Sequence, residues 1–104
     1  MAVTTHSIDI TTEQQQIIVA LFEKHLPGVP VWVYGSRISG TARGNSDLDL
    51  VVFASNDRKR AVSDLKEALE ESSLPFRVDL FIWNDVPESF KKNIQREHRV
   101  LIHH

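Results

Sequence analysis

Two aspartates one residue apart, Asp47 and Asp49, open the run Leu48-Asp49-Leu50-Val51-Val52-Phe53, and a third, Asp79, stands between Val78 and Leu80 in another apolar run. Alternation along a strand places Asp47 and Asp49 on one face, roughly 6.5 Å apart along the chain, while Leu48 and Leu50 enter the other. Asp79 holds the matching place near the start of the next strand, so three carboxylates are expected to converge where a sheet end is partly desolvated. Like unit charges about 4 Å apart repel by about 4 kcal/mol at an effective dielectric of ~20, against ~1 kcal/mol in water. Such a cluster needs a counter-charge. The chain has no cysteine, and hard oxygen donors favour Mg²⁺ or Mn²⁺ over zinc. Two divalent ions about 3.5 to 4 Å apart, bridged by carboxylates, form a clamp for in-line displacement at phosphorus. A lone aspartate at a strand start is as often a solvated turn residue; the second on its face and the third on the next strand weigh against that reading.

Gly35-Ser36 closes the apolar run Val31-Trp32-Val33-Tyr34. Gly35 allows the backbone to approach a ligand closely, and Ser36 is expected to start a short helical turn whose free N–H groups and hydroxyl can receive a phosphate. Gly35 to Gly40 has the glycine spacing of a P-loop, but Thr41 and Ala42 stand where that motif needs Lys and Ser/Thr, so a P-loop is rejected. Arg37 and Arg43 are candidate phosphate contacts, with solvated loop positions as the commoner alternative. His6, His25 and His98 lack ligand spacing. Trp32, Tyr34, Phe53, Phe81 and Trp83 are core or base-stacking positions, with core favoured.

The elements that must position these groups are legible from periodicity. Thr11 or Thr12, each followed three residues later by Gln, begins a helix with Ile17, Ile18, Leu21 and Phe22 at helical spacing, ended by Pro27-Gly28. Strands are predicted at Val31–Tyr34, Asp47–Phe53 and Arg77–Trp83. Asn56 or Asp57 caps a second helix carrying Ala61, Val62, Leu65, Ala68 and Leu69. Asp85 and Pro87 open a last one, with Phe90, Ile94, His98 and Leu101 on one side and Lys91, Lys92, Arg96 and Arg99 as a solvated face. Strands two and three, joined by a helical crossover, are expected to be parallel; strands one and two, separated by about a dozen residues, antiparallel. The expected fold is a small mixed β-sheet with flanking helices, of the α/β (α+β) class. The end of strand one and the starts of strands two and three then share one end of the sheet.

A chain of 104 residues is expected to form one domain, residues 1–104, with one core. A net charge of −2 and a sequence pI near 6.2 give no footprint for direct nucleic-acid binding or an anionic membrane. No stretch is apolar enough to span a bilayer and no leader is visible, so a cytoplasmic location is expected.

Gly35-Ser36-Arg37, Gly40-Thr41-Ala42-Arg43, Ser46-Asp47-Leu48-Asp49-Leu50 and the distal Asp79 together resemble the minimal nucleotidyltransferases of the DNA polymerase β superfamily, small proteins of the kind found beside a helical HEPN-type partner. The resemblance spans roughly residues 12 to 100. It implies that Asp47 and Asp49 bind both metal ions, and that Asp79 completes one metal site and takes a proton from the acceptor hydroxyl. It implies also that Gly35 and Ser36, with Arg37 and Ser46 beside them, hold the nucleotide triphosphate. The implied activity moves NMP, AMP foremost, from an NTP to a hydroxyl on the HEPN-type partner, such as that of a tyrosine, in a toxin–antitoxin pair. Assembly with itself or with that partner stays open. Two rivals remain: a non-catalytic module that neutralises its partner by occlusion, and a small-molecule transferase of the aminoglycoside-modifying kind, for which the chain has no room to build an acceptor pocket.

Overall fold

The computed structural model describes residues 8–40 and 46–103. His6, and the Thr41, Ala42 and Arg43 of the second motif, lie outside the described residues. Helix α1 runs Thr12–His25, and Thr11 is its cap: the Thr11 hydroxyl accepts from the Gln14 amide at 3.0 Å while Gln14 Oε1 accepts from the Thr11 amide at 2.9 Å. After Pro27-Gly28 come strand β1 (Val31–Tyr34), the single helical turn α2 (Ser36–Ser39) and strand β2 (Leu48–Val52). A 3₁₀ turn over Asn56–Arg58 leads into α3 (Lys59–Glu70). Asn56 and Asp57 lie inside that turn rather than capping α3, and the Ser55 hydroxyl donates to the Asp57 carboxylate. Strand β3 (Val78–Ile82), a 3₁₀ turn over Trp83–Asp85, helix α4 (Glu88–Arg96) and strand β4 (Arg99–Ile102) complete the fold.

The sheet order is β3-β2-β1-β4. β1 pairs antiparallel with β2, and β2 pairs parallel with β3 across the α3 crossover, as the connection lengths predict. β4 overturns the expected long last helix. α4 stops at Arg96 because Glu97 turns to extended backbone (φ −139°, ψ 102°), and Arg99–Ile102 pairs antiparallel with the free edge of β1. His98 and Leu101 therefore leave the helical stripe, and Arg99 leaves the solvated helix face. The run Val100-Leu101-Ile102 suits a strand, and the open edge of β1 decides the matter.

One face of the sheet is covered by α1 and α3. Val31, Val33, Leu48, Leu50, Val52, Leu80 and Ile82 meet Ile18, Phe22 and Leu26 of α1 and Val62, Leu65 and Leu69 of α3 in one buried cluster. The opposite face carries Tyr34, Asp49, Asp79 and Phe81, then an aromatic group in which Trp32 stacks on His98 (ring centroids 3.7 Å apart, planes 11° apart) and meets Phe53 and Trp83 edge-on. Trp32, Phe53 and Trp83 are half-buried, so these aromatics line the second face rather than the main core.

Candidate active site

The hydrogen-bond register sets the site. Tyr34 of β1 is the Cα partner of Asp49 on β2, and Asp49 is the partner of Asp79 on β3. Residues opposite one another across adjacent strands project to the same face. A tyrosine and two carboxylates thus form one row across the strands, at the end of the sheet that the sequence pattern indicates. Asp47 stands one residue before β2, exposed, and the ladder starts beside it with the Leu48 amide donating to the Arg77 carbonyl at 2.8 Å.

Asp49 carries the electrostatic signature of the row. Partial burial, then the charges of Asp79 and Asp47, push its carboxyl from 3.8 up to about 6. Burial, then the charges of Asp49 and Asp79, push the Tyr34 phenol up to about 12, so it keeps its proton at neutral pH. Asp79 has a local partner in the Arg77 Nε, 3.2 Å from its Oδ1. Among the described residues no three His, Cys, Asp or Glu side chains form a ready-made metal-binding group. The structure brings Asp49 and Asp79 side by side and Asp47 within electrostatic reach, without drawing the three into a closed ligand set.

Gly35 follows Tyr34 directly and adopts φ 87°, a left-handed conformation that side chains resist. A Cβ built there would collide with Asp49 Oδ2. The absent side chain therefore admits the carboxylate of Asp49 itself as well as leaving the backbone open to a ligand. Ser36 starts α2 and is half-buried.

Arg37 stands differently from its expected place as a phosphate contact. It is 5% exposed, and its guanidinium donates to the Asp9 carbonyl (Nη1, 2.7 Å) and to the Ser46 carbonyl (Nε, 3.1 Å; Nη2, 2.8 Å) while lying 4.1 Å over the Phe76 ring. The Asp9 amide donates back to the Arg37 carbonyl at 2.7 Å. Its bonds tie the segment before α1 to the residue preceding Asp47, and Ser46 enters the site through its backbone oxygen. A polar loop sequence gives no sign of this, because the acceptors are main-chain oxygens distant along the chain.

Beside the row lies a cleft of about 330 Å³, lined by Tyr34, Asp49, Phe81, Asp85, Val86, Pro87, Phe90 and Ile94. Phe81 and Phe90 are 48% and 59% exposed. Sequence reading ranks Phe81 with the core and assigns Phe90 to a helix stripe; only the fold shows that both rings reach solvent and line one cleft.

A mixed sheet of this order, with carboxylates in register across β2 and β3 and a glycine turn at the end of β1, defines a nucleotidyltransferase of the polymerase β type. The chain matches the family model Polymerase beta, Nucleotidyltransferase over residues 15–104 and belongs to that family. It is 37% identical over 95 residues to a protein of Haemophilus influenzae (strain ATCC 51907 / DSM 11121 / KW20 / Rd) named Probable protein adenylyltransferase MntA, a match that covers 90% of this chain and 83% of the relative. The fold is similar to that in a crystal structure of a toxin–antitoxin with AMP-PNP (TM-score 0.62, 21% identity, 86% of this chain and 73% of that one). It is also similar to that in a crystal structure of an MntA–HpeT toxin–antitoxin mutant with two aspartates changed to glutamate (TM-score 0.61, 19% identity, the same coverage). The family resemblance drawn from the Gly-Ser and Asp-x-Asp motifs is borne out.

Proposed function

We propose that this chain transfers AMP from ATP to a hydroxyl of a HEPN-type partner protein in the cytoplasm and so silences that partner as the antitoxin of a toxin–antitoxin pair. The row Tyr34–Asp49–Asp79, with Gly35 pressed against Asp49, carries the reading. The name of the Haemophilus influenzae relative, which specifies a protein substrate and an adenylyl group, supports it. So do the toxin–antitoxin descriptions of the structural neighbours.

The residues present fit divalent metal: the donors are hard carboxylate oxygens, and the repulsion that raises Asp49 is what a cation relieves. Asp47, Asp49 and Asp79 would hold two Mg²⁺ or Mn²⁺ ions, which supply charge neutralisation on the triphosphate when bound. Gly35 and Ser36 receive the phosphates. Asp79, on the outermost of the three strands in the row, takes the proton of the acceptor hydroxyl. The acceptor oxygen bonds to the α-phosphorus, the bond from that phosphorus to the bridging oxygen breaks, and pyrophosphate leaves. Arg37 fixes the loop from which Asp47 projects, a positioning role.

The test is incubation of the chain with its helical partner, Mg²⁺ and labelled ATP. Label should appear on the partner, and Asp47→Asn or Asp79→Asn should abolish it together with neutralisation. Variants that lose labelling yet still neutralise would establish occlusion instead.

A further inference from the structure

We propose that the Tyr34 hydroxyl donates a hydrogen bond to the oxygen that departs with pyrophosphate, which makes Tyr34 a further catalytic residue; this rests on the reading above, in which the chain moves AMP from ATP to a hydroxyl. Tyr34 of β1 pairs with Asp49 of β2, and Asp49 with Asp79 of β3; residues so paired project to one face. Asp79, at one end of this row, takes the acceptor proton. In-line displacement puts the attacking and departing oxygens on opposite sides of the phosphorus. With the α-phosphorus over Asp49 and the acceptor at Asp79, the departing oxygen lies toward β1. Tyr34 stands there, and its neighbour along the chain, Gly35, opens the turn α2 that receives the phosphates.

The inventory of donors singles out this hydroxyl. Among the described residues of the row and of the cleft beside it, Tyr34 alone carries a side-chain hydrogen-bond donor; the rest are carboxylates or apolar groups. Arg77 and Arg37, on the adjoining segments, are engaged, the first with Asp79 at 3.2 Å and the second with the Asp9 and Ser46 carbonyls. No described group hydrogen-bonds the Tyr34 hydroxyl. It is open to an incoming acceptor, while the half-buried ring is held in the cleft wall. A phenol is a donor at neutral pH, and a fixed donor aimed at an atom that gains charge in the transition state works as an oxyanion-hole donor does. As the acceptor oxygen bonds to the α-phosphorus, its proton passes to Asp79. The bond from that phosphorus to the bridging oxygen breaks, and the electron pair stays on pyrophosphate. Tyr34 keeps its own proton throughout and shares it with that oxygen.

The experiment compares the full chain with Tyr34→Phe, which removes one oxygen and keeps the ring. Single-turnover labelling of the helical partner is followed with Mg²⁺ and ATP, then with ATP analogues carrying CH₂, CHF or CF₂ at the β,γ bridge. In that order the bridges make the departing group more acidic, so its oxygen needs less help. The variant should label about a hundredfold more slowly with ATP, and the deficit should be largest for CH₂ and smallest for CF₂. Its affinity for α,β-methylene ATP, whose carbon bridge accepts no hydrogen bond, should stay within about twofold of the parent's. A deficit equal across the series would reduce Tyr34 to packing and overturn the proposal; so would an undiminished rate or a roughly tenfold loss of α,β-methylene ATP affinity. Tyr34 is the one tyrosine of the chain, so the resonance of its hydroxyl-bearing carbon is unambiguous. With Mg²⁺ and no partner, that carbon should shift farther with ATP than with α,β-methylene ATP. Such a shift in a chain that labels no partner would sink the transfer reading and keep the contact. Partner labelling with equal shifts and an equal deficit would do the reverse, and the absence of both would end both.

Discussion

The two faces of β2 are one residue apart in sequence and opposite in character. Leu48 and Leu50 are fully buried against the helices, whereas Asp49 between them lies half-open in a row of charge. The inner face is closed by α1 and α3 with side chains at or near zero exposure; the outer face is covered only in part, by residues of α4 and by His98 stacked on Trp32. Strand alternation makes the first a condition of the second. The leucines fix the strand, and the strand holds a carboxylate where its neighbours repel it. The stability of the sheet thus sustains an arrangement that is locally unfavourable, as sites for charge chemistry often require.

Substitutions on the two faces should break this comparison in opposite directions. The largest effect on stability is expected for Leu50→Ala, which deletes a fully buried side chain and should cost about 3 to 4 kcal/mol in chemical denaturation, with the midpoint lowered and the slope unchanged. Next comes Arg37→Met. It keeps bulk over Phe76 but leaves the Asp9 and Ser46 carbonyls without their guanidinium donor, at an expected ~2 to 3 kcal/mol by the same measurement.

Gly35→Ala forces a Cβ at φ 87° into the Asp49 carboxylate. An unfolding curve should show a loss of about 1 to 2 kcal/mol, and partner labelling should fall at least tenfold because Asp49 is displaced.

Asp49→Asn is the smallest in stability and opposite in sign. The carboxyl rises from 3.8 unfolded to about 6 folded, so between those values the folded chain holds a proton that the unfolded chain has released. Stability therefore falls as pH rises through that window, and the penalty is complete above it. Asn removes the charge, so the variant should be more stable at pH 7 to 8 by about 1 kcal/mol, after discounting for water that screens a half-open group, with no gain below pH ~4. Thermal melts at several pH values decide it; a variant less stable than its parent at pH 8 would show that Asp49 is held by favourable contacts. Millimolar Mg²⁺ should raise the melting temperature of the parent more than matched monovalent salt does, and that increment should shrink in Asp49→Asn.

Much of this was legible in residue order. The capping pair at Thr11 and Gln14, the antiparallel β1–β2 and parallel β2–β3 pairings and the register of Asp49 with Asp79 follow from periodicity and connection length. The fourth strand does not. Phe90, Ile94, His98 and Leu101 keep helical spacing to the end, and only the unpaired edge of β1, more than sixty residues earlier in the chain, recruits Arg99–Ile102 as a strand. In the site, spacing points to the carboxylates but not to the burial of Arg37, whose guanidinium reaches the Asp9 and Ser46 carbonyls, nor to the cleft, which depends on α4 setting its own Phe90 beside Phe81 of β3.

The pairing of β1 with β4 also bears on how the molecule is made. On a ribosome, β4 emerges after β1, β2 and β3, and until then the hydrogen-bonding rim of β1 stays bare and able to recruit foreign strands. Nascent chains should accordingly be sticky until that final ribbon arrives, which makes the segment after His98 a guard against self-association as much as a piece of architecture.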